Sequence, residues 1–433
     1  MTEHLNCTET IAAGLRALPG VRKAFASTQA AWRFYANERV SLPQLATPVV
    51  RSGRDALADN SAKYALIAHD WSHLDYSGHD SKRDRAQLSG KNMLGYELET
   101  ALLISDLDGA PLSVICQSLL ASDGLYSTRC QGVLPELSQL DGLTEAIRFV
   151  DGSDLGKPCV HIVDRECDSV WHYRQWQKEG RLFVVRAKNH RIVKHDGQSK
   201  PLHDVVKWLD ARKSFRYSRD VEFKGKAARQ YVAEEKVVID RPAKPQRTRH
   251  GPSKRRLPGE AIELRLVVSR IEGQGGELLS EWLLWTNLAG GENPKGVNDK
   301  QIAEWYYWRW EIETFFKLIK SAGHNLEQWQ QETVEAIARR LLIATMSCVV
   351  VWRLARNKEP EADEFRHLLV RLSGRQMKWG RAFTEPALLA GLGVLLVMLD
   401  FIQRYDVGEV ERLAGMFLPG HYRKNMCAHL CRY

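Results

Sequence analysis

The chain has 433 residues, of which 44% are hydrophobic and 27% charged, and its net charge at neutral pH is +9. These values are typical of a globular protein of roughly two to four domains, and they exclude a disordered, collagen-like or disulfide-stapled chain. The excess of positive charge favours a polyanionic partner, although charge alone does not identify one.

Targeting and membrane signals are weak along the chain. The start MTEHLNCTET has neither the basic end nor the apolar run of a secretory signal. The longest apolar stretches, 341–352 and 387–399, are shorter than the roughly 18–20 residues that span a bilayer, so we expect buried helices there. Eight scattered cysteines without a Cys-x2-Cys pair favour free thiols in a reducing cytoplasm.

Helix and strand patterns divide the first half of the chain. Residues 1–58 are predicted to be helical, with a turn at Asn37 and a second helix starting at Ser41. From residue 62, apolar runs alternate with amphipathic segments, and two of the predicted strands are joined by a tight turn at 108–109. This order of elements predicts a mixed α/β sheet over 59–189.

The second half changes character twice. Residues 190–285 are strand-like with little helix, which indicates a β-rich insertion. Within it, 241–258 has seven cations, four prolines and no acids, so it is either a solvated hairpin tip or a nucleic-acid contact. A continuous helix is predicted over 299–321, and 326–433 is predicted to be helical.

Two acids follow apolar runs that are typical of buried strands. Asp70 ends the run LIAHD and Asp164 ends the run VHIVD. A carboxylate at a strand end lies at the edge of a sheet, where α/β proteins commonly bind ligands. Each acid alone also fits a residue that opens a loop or caps the next helix.

A third acid lies on the predicted helix. At about 100° per residue, one face carries an acid, three cations and a phenol: Tyr306, Arg309, Glu313, Lys317 and Lys320. An ordinary solvated face would also be charged. Together with Asp70 and Asp164, however, Glu313 makes a set of three carboxylates, the ligand type that Mg²⁺ prefers. We therefore expect a two-ion site for phosphoryl transfer.

These residues also carry a family resemblance. The chain resembles a DDE transposase of the bacterial insertion-sequence and composite-transposon type. Tyr306, Arg309, Glu313 and Lys320 match the Tyr-x2-Arg-x3-Glu-x6-Lys pattern of one branch of that family. The match covers roughly residues 25–355.

Three shorter stretches support the resemblance. HDWSHLDY around Asp70 is similar to the family's Asp-Thr/Ser-Thr-x-Leu-Asp-Tyr, with Trp71 and His73 as departures. VDRECD around Asp164 is similar to Asp-Arg-Glu-x-Asp, and FVVRAK at 183–188 is similar to Phe-x-Val-Arg-x-Lys.

The resemblance implies a fold and an activity. The fold is a ribonuclease-H-like core at 59–189 and 286–325, interrupted by the insertion at 190–285. Flanking it are a DNA-recognition region at 1–58 and a dimerisation and DNA-contact region at 326–433. The implied activity is cut-and-paste transposition, namely cleavage of transposon ends, hairpin formation and strand transfer into target DNA. It implies two Mg²⁺ ions, replaceable by Mn²⁺, on the three acids. It also implies a homodimer on double-stranded DNA, cytoplasmic and associated with the nucleoid, without a membrane partner.

The resemblance also implies DNA contacts. Trp282 would stack on a base flipped out at the hairpin, where stacking is worth about 1–3 kcal/mol per base. The other implied contacts to bases or phosphates are Trp310, Tyr306, Arg309, Lys317, Lys320, Arg186 and Lys188. The alternatives are a core-packed tryptophan at 282 and ordinary surface cations at 186 and 188.

Two other functions compete with an active transposase. Little sequence precedes Ser27, where the family usually carries a longer DNA-recognition domain. The first candidate is therefore a DNA-binding form that is inactive in transposition or inhibitory. The other candidate is a metal nuclease that cleaves without strand transfer.

Overall fold

The computed structural model describes residues 24–59, 61–90, 92–243, 247–248, 251–252, 258–291 and 296–417. Residues 1–23, most of the basic segment 241–258 and residues 418–433 lie outside these ranges, so the predictions made for them stay predictions.

Within these described ranges, fourteen strands form one mixed sheet and two short strands pair separately. The strands are β1 (Ala65–Asp75), β2 (Ala86–Gln87), β3 (Leu94–Ser105), β4 (Pro111–Ala121), β5 (Gly124–Ser127), β6 (Val133–Leu134), β7 (Cys159–Val163), β8 (Leu182–Arg186), β9 (Ile192–His195), β10 (Gln198–Pro201), β11 (Arg216–Phe223), β12 (Lys226–Ile239), β13 (Arg247–Thr248), β14 (Gly251–Pro252), β15 (Ile262–Gly273) and β16 (Leu278–Thr286).

Helices cover both faces of the sheet. The α-helices are α1 (Ala24–Ala36), α2 (Leu42–Ala58), α3 (Gln139–Gly152), α4 (Val170–Lys178), α5 (Leu202–Ala211), α6 (Asp299–Trp308), α7 (Glu311–Lys317), α8 (Val334–Arg356), α9 (Pro360–Ser373), α10 (Glu385–Arg404) and α11 (Val407–Phe417). Two 3-10 turns, Arg165–Cys167 and Leu326–Gln328, and a π-helical turn, Leu318–Ala322, complete the described elements.

The centre of the sheet has the order β4-β3-β1-β7-β8. Strands β4, β3 and β1 are antiparallel neighbours, whereas β7 and β8 run parallel to β1. The predicted mixed α/β sheet and the helices at both ends of the described chain are therefore present. The turn between β3 and β4 lies at the predicted Asp108–Gly109, where Gly109 has φ = 75° and a Cβ would meet the Trp308 ring at 2.3 Å.

The segment 190–285 adds its strands to the same sheet. Strand β16 pairs antiparallel with β8, and β15, β12, β9 and β10 follow outward. This β-rich character agrees with the sequence pattern. The segment also contains α5, which the strand-like pattern did not predict, and whose buried side consists of Leu202, Val205, Val206 and Leu209.

The helix predicted over 299–321 is not continuous. Helix α6 ends at Trp308 and α7 begins at Glu311, and between them the backbone N–H of Trp310 bonds three residues back to the Tyr307 carbonyl, at 3.3 Å. This tighter 3-10 winding occurs next to Arg309, whose buried side chain donates a hydrogen bond to Asp70. After Lys317 the chain widens into the π-helical turn.

Helix α10 is longer than its apolar stretch 387–399 suggested, and the expectation of a buried helix holds only for its first half. Leu388 is fully buried, whereas Met398 and Ile402 are exposed. By length and composition alone, Glu385–Gln403 is long and apolar enough to cross a bilayer. One such helix is weak evidence for a membrane segment.

A buried glutamate in β3 predicts a pH-dependent stability. Glu99 is 6% exposed, and its Oε1 has no hydrogen-bond partner among the described residues. Burial raises the pKa of Glu99 to about 7, and the charge of Arg129 only partly opposes this. Because the native pKa lies above that of the unfolded chain, this glutamate favours the native state at low pH. That contribution, about 3 kcal/mol, is lost as pH rises through about 7.

Glu99→Gln is therefore expected to raise the free energy of unfolding at pH 8 and to leave it nearly unchanged at pH 5. Chemical denaturation at the two pH values measures this difference. Glu364→Gln, at an exposed position of α9, is the control. Equal effects of the two substitutions at pH 8 would contradict the assignment.

Candidate active site

The first acid of the site, Asp70, lies within a strand. The prediction that the strand ends at Asp70 was wrong, because only the apolar run ends there and β1 continues to Asp75 opposite β3. Asp70 shares its face of the sheet with Leu66 and Ala68, which pack in the cluster that also contains Ile312 and Phe315 of α7. Asp70 therefore faces the helix that carries Glu313.

The second acid, Asp164, directly follows β7, as the sequence predicted. The parallel pairing of β1 with β7 ends at Ala68 opposite Ile162. Asp70 and Asp164 each lie two residues beyond this last pair, so the common register brings them side by side just past the end of the β1–β7 pairing. Asp164 also caps the 3-10 turn Arg165–Cys167 by accepting a hydrogen bond from the Arg165 N–H, so both sequence interpretations apply to it.

One guanidinium joins the two aspartates to the third acid. Arg309 Nη1 donates to Asp70 Oδ2 at 2.7 Å, and its Nη2 lies 3.7 Å from Asp164 Oδ2 and 3.8 Å from Glu313 Oε1. Arg309 is 6% exposed. Three carboxylates that are far apart in sequence therefore meet around a single buried cation.

The electrostatics of this group favour charge on Arg309. Burial opposes that charge, but Tyr306 and the carboxylates of Asp70 and Asp164 hold the pKa of the Arg309 guanidinium above its ordinary value. Burial, and then the charge of Asp70, raise the pKa of Glu313, whereas Arg309 lowers it. Arg309 thus offsets part of the mutual repulsion of the acids.

Three aromatic side chains, Trp282, Tyr306 and Phe223, form an aromatic wall beside the carboxylates. Trp282 of β16 is partly buried and makes edge contacts with Tyr306 at 5.4 Å and Phe223 at 6.5 Å between ring centroids. Tyr306 is buried, and its pKa is raised chiefly by burial, with Arg309 and Arg186 opposing. Trp282 therefore packs against the core on one side and keeps part of its ring accessible.

The remaining predicted contact residues differ in exposure. Trp310 is 65% exposed and Lys317 is exposed, so both side chains are accessible beside Glu313. Lys320 is partly buried, and its Nζ donates to the His73 carbonyl at 2.6 Å and lies 3.0 Å from Glu327 Oε1. In this structure Lys320 therefore ties the π-helical turn to β1.

Strand β8 carries the last predicted cations. Arg186 interacts with Tyr306, and Lys188 is partly buried two residues further on. The loop after β8 is held by Asp168, which accepts hydrogen bonds from the Lys188 N–H at 3.0 Å and from Arg191 Nε at 2.5 Å. The next residue, Ser169, is the N-cap of α4.

Sequence reasoning missed the internal role of Arg309 and the partners of the strands behind the acids. The pattern of the helix face placed Arg309 beside Glu313 but could not show that its side chain turns inward. The two histidines His69 and His161, each close to an acid in sequence, are fully buried and bonded to each other. Their position within apolar strand runs was the available signal.

The residues fit a hard divalent cation in donor type and in charge. Carboxylate oxygens are the ligands that Mg²⁺ and Mn²⁺ prefer, and the cluster already encloses a cationic group. Their arrangement is not that of a formed metal centre, since no group of three or more His, Cys, Asp or Glu within the described ranges is placed to hold an ion. Arg309 lies against the carboxylates that such an ion would need.

Comparisons with known proteins give little further information. No protein-family model and no curated protein match the chain. A cryo-EM structure of the piggyBac transposase synaptic complex with hairpin DNA is similar over 89% of this chain, with 9% identity and a TM-score of 0.36. The chain covers 63% of the length of that transposase chain. A likeness at this level carries no argument about the fold or the function.

Proposed function

We propose that this chain is a divalent-metal-dependent DNA transposase of the DDE type found in bacterial insertion sequences and composite transposons. The observation that carries the proposal is the meeting of Asp70, Asp164 and Glu313 around Arg309. The carboxylates come from β1, from the residue after β7 and from α7, and the guanidinium comes from the turn between α6 and α7. They form one charged group where the pairing of β1 with β7 ends. Such an arrangement suits a reaction in which a phosphate group must be held and displaced.

The strand order supports a ribonuclease-H-like core for this enzyme. In the order β4-β3-β1-β7-β8, the two central parallel strands present Asp70 and Asp164 side by side where their pairing ends. The β-rich segment between β8 and α6 has the position in the chain that the family resemblance implies for the insertion, and it brings Trp282 next to Tyr306. Rigid strands and a packed helix hold the acids better than loops would.

Different residues of the site would bind the metal ions and the phosphate. Asp70, Asp164 and Glu313 would hold Mg²⁺ or Mn²⁺, which would supply charge stabilisation for an in-line displacement at phosphorus. Arg309 has the charge and fork geometry to bind a phosphate, and Tyr306 beside it interacts with both Arg309 and Arg186. A phosphate that engages Arg309 would release Asp70 from its ion pair.

The aromatic wall supports hairpin formation in addition to cleavage. A hairpin at a DNA end requires sharp bending and an unstacked base. Trp282 offers part of a ring beside the phosphate-binding side chains, and Trp310 offers an exposed ring one residue after Arg309. Stacking on either ring would hold the displaced base.

The proposal is tested with labelled duplex DNA taken from the sequences that flank the gene, with Mg²⁺ or Mn²⁺ added. Hairpins and strand-transfer products are expected. Nicks without these products would instead support a metal nuclease, and binding without cleavage would support the DNA-binding or inhibitory form. Paired inverted repeats in the flanking DNA would identify the substrate ends.

Trp282→Ala is expected to reduce hairpin yield more than first-strand nicking. Loss of base stacking worth about 1–3 kcal/mol corresponds to a decrease of about fivefold or more in hairpin rate. Gel analysis of both products over time measures the two rates. Trp308→Ala is the matched control, because this tryptophan of α6 packs against the Gly109 turn. Equal loss of nicks and hairpins in Trp282→Ala would favour a packing role.

A further inference from the structure

A chain of buried polar groups lies on the face of the sheet opposite Asp70. His69 of β1 and His161 of β7 are both fully buried, and their Nε2 and Nδ1 atoms are 2.9 Å apart. His161 Nε2 lies 3.1 Å from Asp151 Oδ1 in α3, and Asp151 also accepts from Arg181 Nη1 at 2.7 Å. The surroundings are apolar and include Ile67.

The positions of the hydrogens in the series His69, His161 and Asp151 follow from Asp151, which only accepts hydrogen bonds. Burial opposes ionisation of Asp151, but the hydrogen bond from His161 and the charge of Arg181 hold its pKa below the ordinary value. An ionised carboxylate only accepts, so His161 donates through Nε2. With both imidazoles neutral, His161 accepts through Nδ1 and His69 donates through Nε2.

This arrangement is costly in a core. Burying polar groups requires full hydrogen bonding, yet His69 Nδ1 has no partner among the described residues. Apolar side chains, such as those at neighbouring positions of the same strands, would fill this space without the cost of burying polar groups. The cost indicates that the link between the two imidazoles has a further role.

The link lies where the backbone pairing of the two strands ends. The last paired residues are Ala68 and Ile162, and no strand pairing between β1 and β7 extends to Asp70 or Asp164. His69 precedes one acid by one residue, and His161 precedes the other by three. The imidazole pair is thus a side-chain connection between β1 and β7 directly behind the carboxylates.

We propose that His69 and His161, anchored by Asp151, are positioning residues that fix the separation of Asp70 and Asp164. The inference rests on the proposed function for its kinetic consequences. Its structural consequence, the restraint of β1 against β7, is independent of any activity. A displacement of about 1 Å at reacting groups can reduce a rate about 100-fold.

The test compares His69→Leu with His69→Gln in the full chain. Leucine removes the hydrogen-bond partner of His161, whereas the amide group of glutamine can take the place of His69 Nε2. We expect His69→Leu to lower kcat for cleavage of flanking-sequence DNA by about tenfold or more, with its KM within about twofold of wild type. His69→Gln should recover most of the rate.

The matched control is His172→Leu. His172 is also buried, and its Nε2 lies 3.1 Å from Asp141, but this pair joins α4 to α3 and not the two strands. Its removal should cost stability without a comparable loss of kcat. A loss of kcat in His172→Leu equal to that in His69→Leu would overturn the proposal, as would equal rates for His69→Leu and wild type.

Hydrogen exchange separates this inference from the proposed function. If wild type shows no cleavage, faster amide exchange in β1 and β7 of His69→Leu, with recovery in His69→Gln, would still support positioning. Unchanged exchange in both strands would overturn it. If His69→Leu does not fold, Asp151→Ala replaces it in the test, because Asp151 is the less buried end of the hydrogen-bonded series. Asp151→Ala should show the same effects on kcat and on exchange to a smaller degree. If Asp151→Ala changes neither, the proposal is overturned.

Discussion

Asp70→Asn, Asp164→Asn and Glu313→Gln are each expected to reduce DNA cleavage by about 10³-fold or more while DNA binding is retained. Each substitution keeps the shape of the side chain and removes one of the three charges around Arg309. Residues that act as one unit lose most of the activity when any member is removed. Product formation at saturating DNA measures the loss.

Two controls make this result specific to the site. Asp75→Asn changes another aspartate of β1, whose carboxylate accepts from the Ser77 N–H at 2.9 Å and from its hydroxyl, and it should cleave DNA at close to the wild-type rate. Circular dichroism and thermal unfolding should show that each site variant is folded. Full cleavage by any one of the three variants would remove that residue from the proposed site.

Arg309→Gln is expected to destabilise the metal-free protein at neutral pH. Without the guanidinium, three carboxylates face one another across a partly buried site. Removing one partner of a buried ion pair costs about 3–5 kcal/mol. The side chains of Asp164 and Glu313 are 29% and 41% exposed, so solvent screening lowers the expected loss to about 2–4 kcal/mol.

The pH dependence of this loss has a definite sign. The pKa of Glu313 is already raised by burial and by Asp70, and Arg309 opposes the increase. Without Arg309 its native pKa rises further above the unfolded value. The variant should therefore match wild type most closely near pH 4 and lose stability as pH rises toward 7. Denaturation curves at several pH values measure this.

Divalent cations should reduce the difference in stability between Arg309→Gln and wild type. Millimolar Mg²⁺ is expected to raise the melting temperature of Arg309→Gln more than that of wild type, because the carboxylates are free of their internal cation. Arg270→Gln is the control, since Arg270 also bridges two acids, Asp210 and Glu281, elsewhere in the fold. If Mg²⁺ stabilised both variants equally, Arg309 would have no special relation to a cation site.

The parts of the site that depend on local pattern could be predicted from the sequence. Apolar runs before Asp70 and Asp164 indicated buried strands, and the helical pattern gave Glu313 a position beside Arg309. The end of β1 was misplaced because strand pairing with β3 continues beyond the apolar run. The break after Trp308 was missed because a 3-10 turn leaves the helical spacing of side chains nearly unchanged.

The tertiary contacts of the site were beyond sequence reasoning. Arg309 lies 239 residues from Asp70 in sequence, and only the folded chain shows that its guanidinium lies among the acids. The pairing of His69 with His161 depends on the parallel register of β1 and β7, which neither strand encodes alone. Lys320 illustrates the same limit, because its contact with His73 arises from the π-helical turn.

The central claim is that Asp70, Asp164 and Glu313 together hold a divalent cation. Titration of the purified protein with Mn²⁺, in the presence of flanking-sequence DNA and followed by electron paramagnetic resonance, tests it most directly. We predict saturable binding that is weakened about tenfold or more in each of the three single-carboxylate variants and unchanged in Asp75→Asn. Equal Mn²⁺ affinity in wild type and in all three variants would contradict the claim.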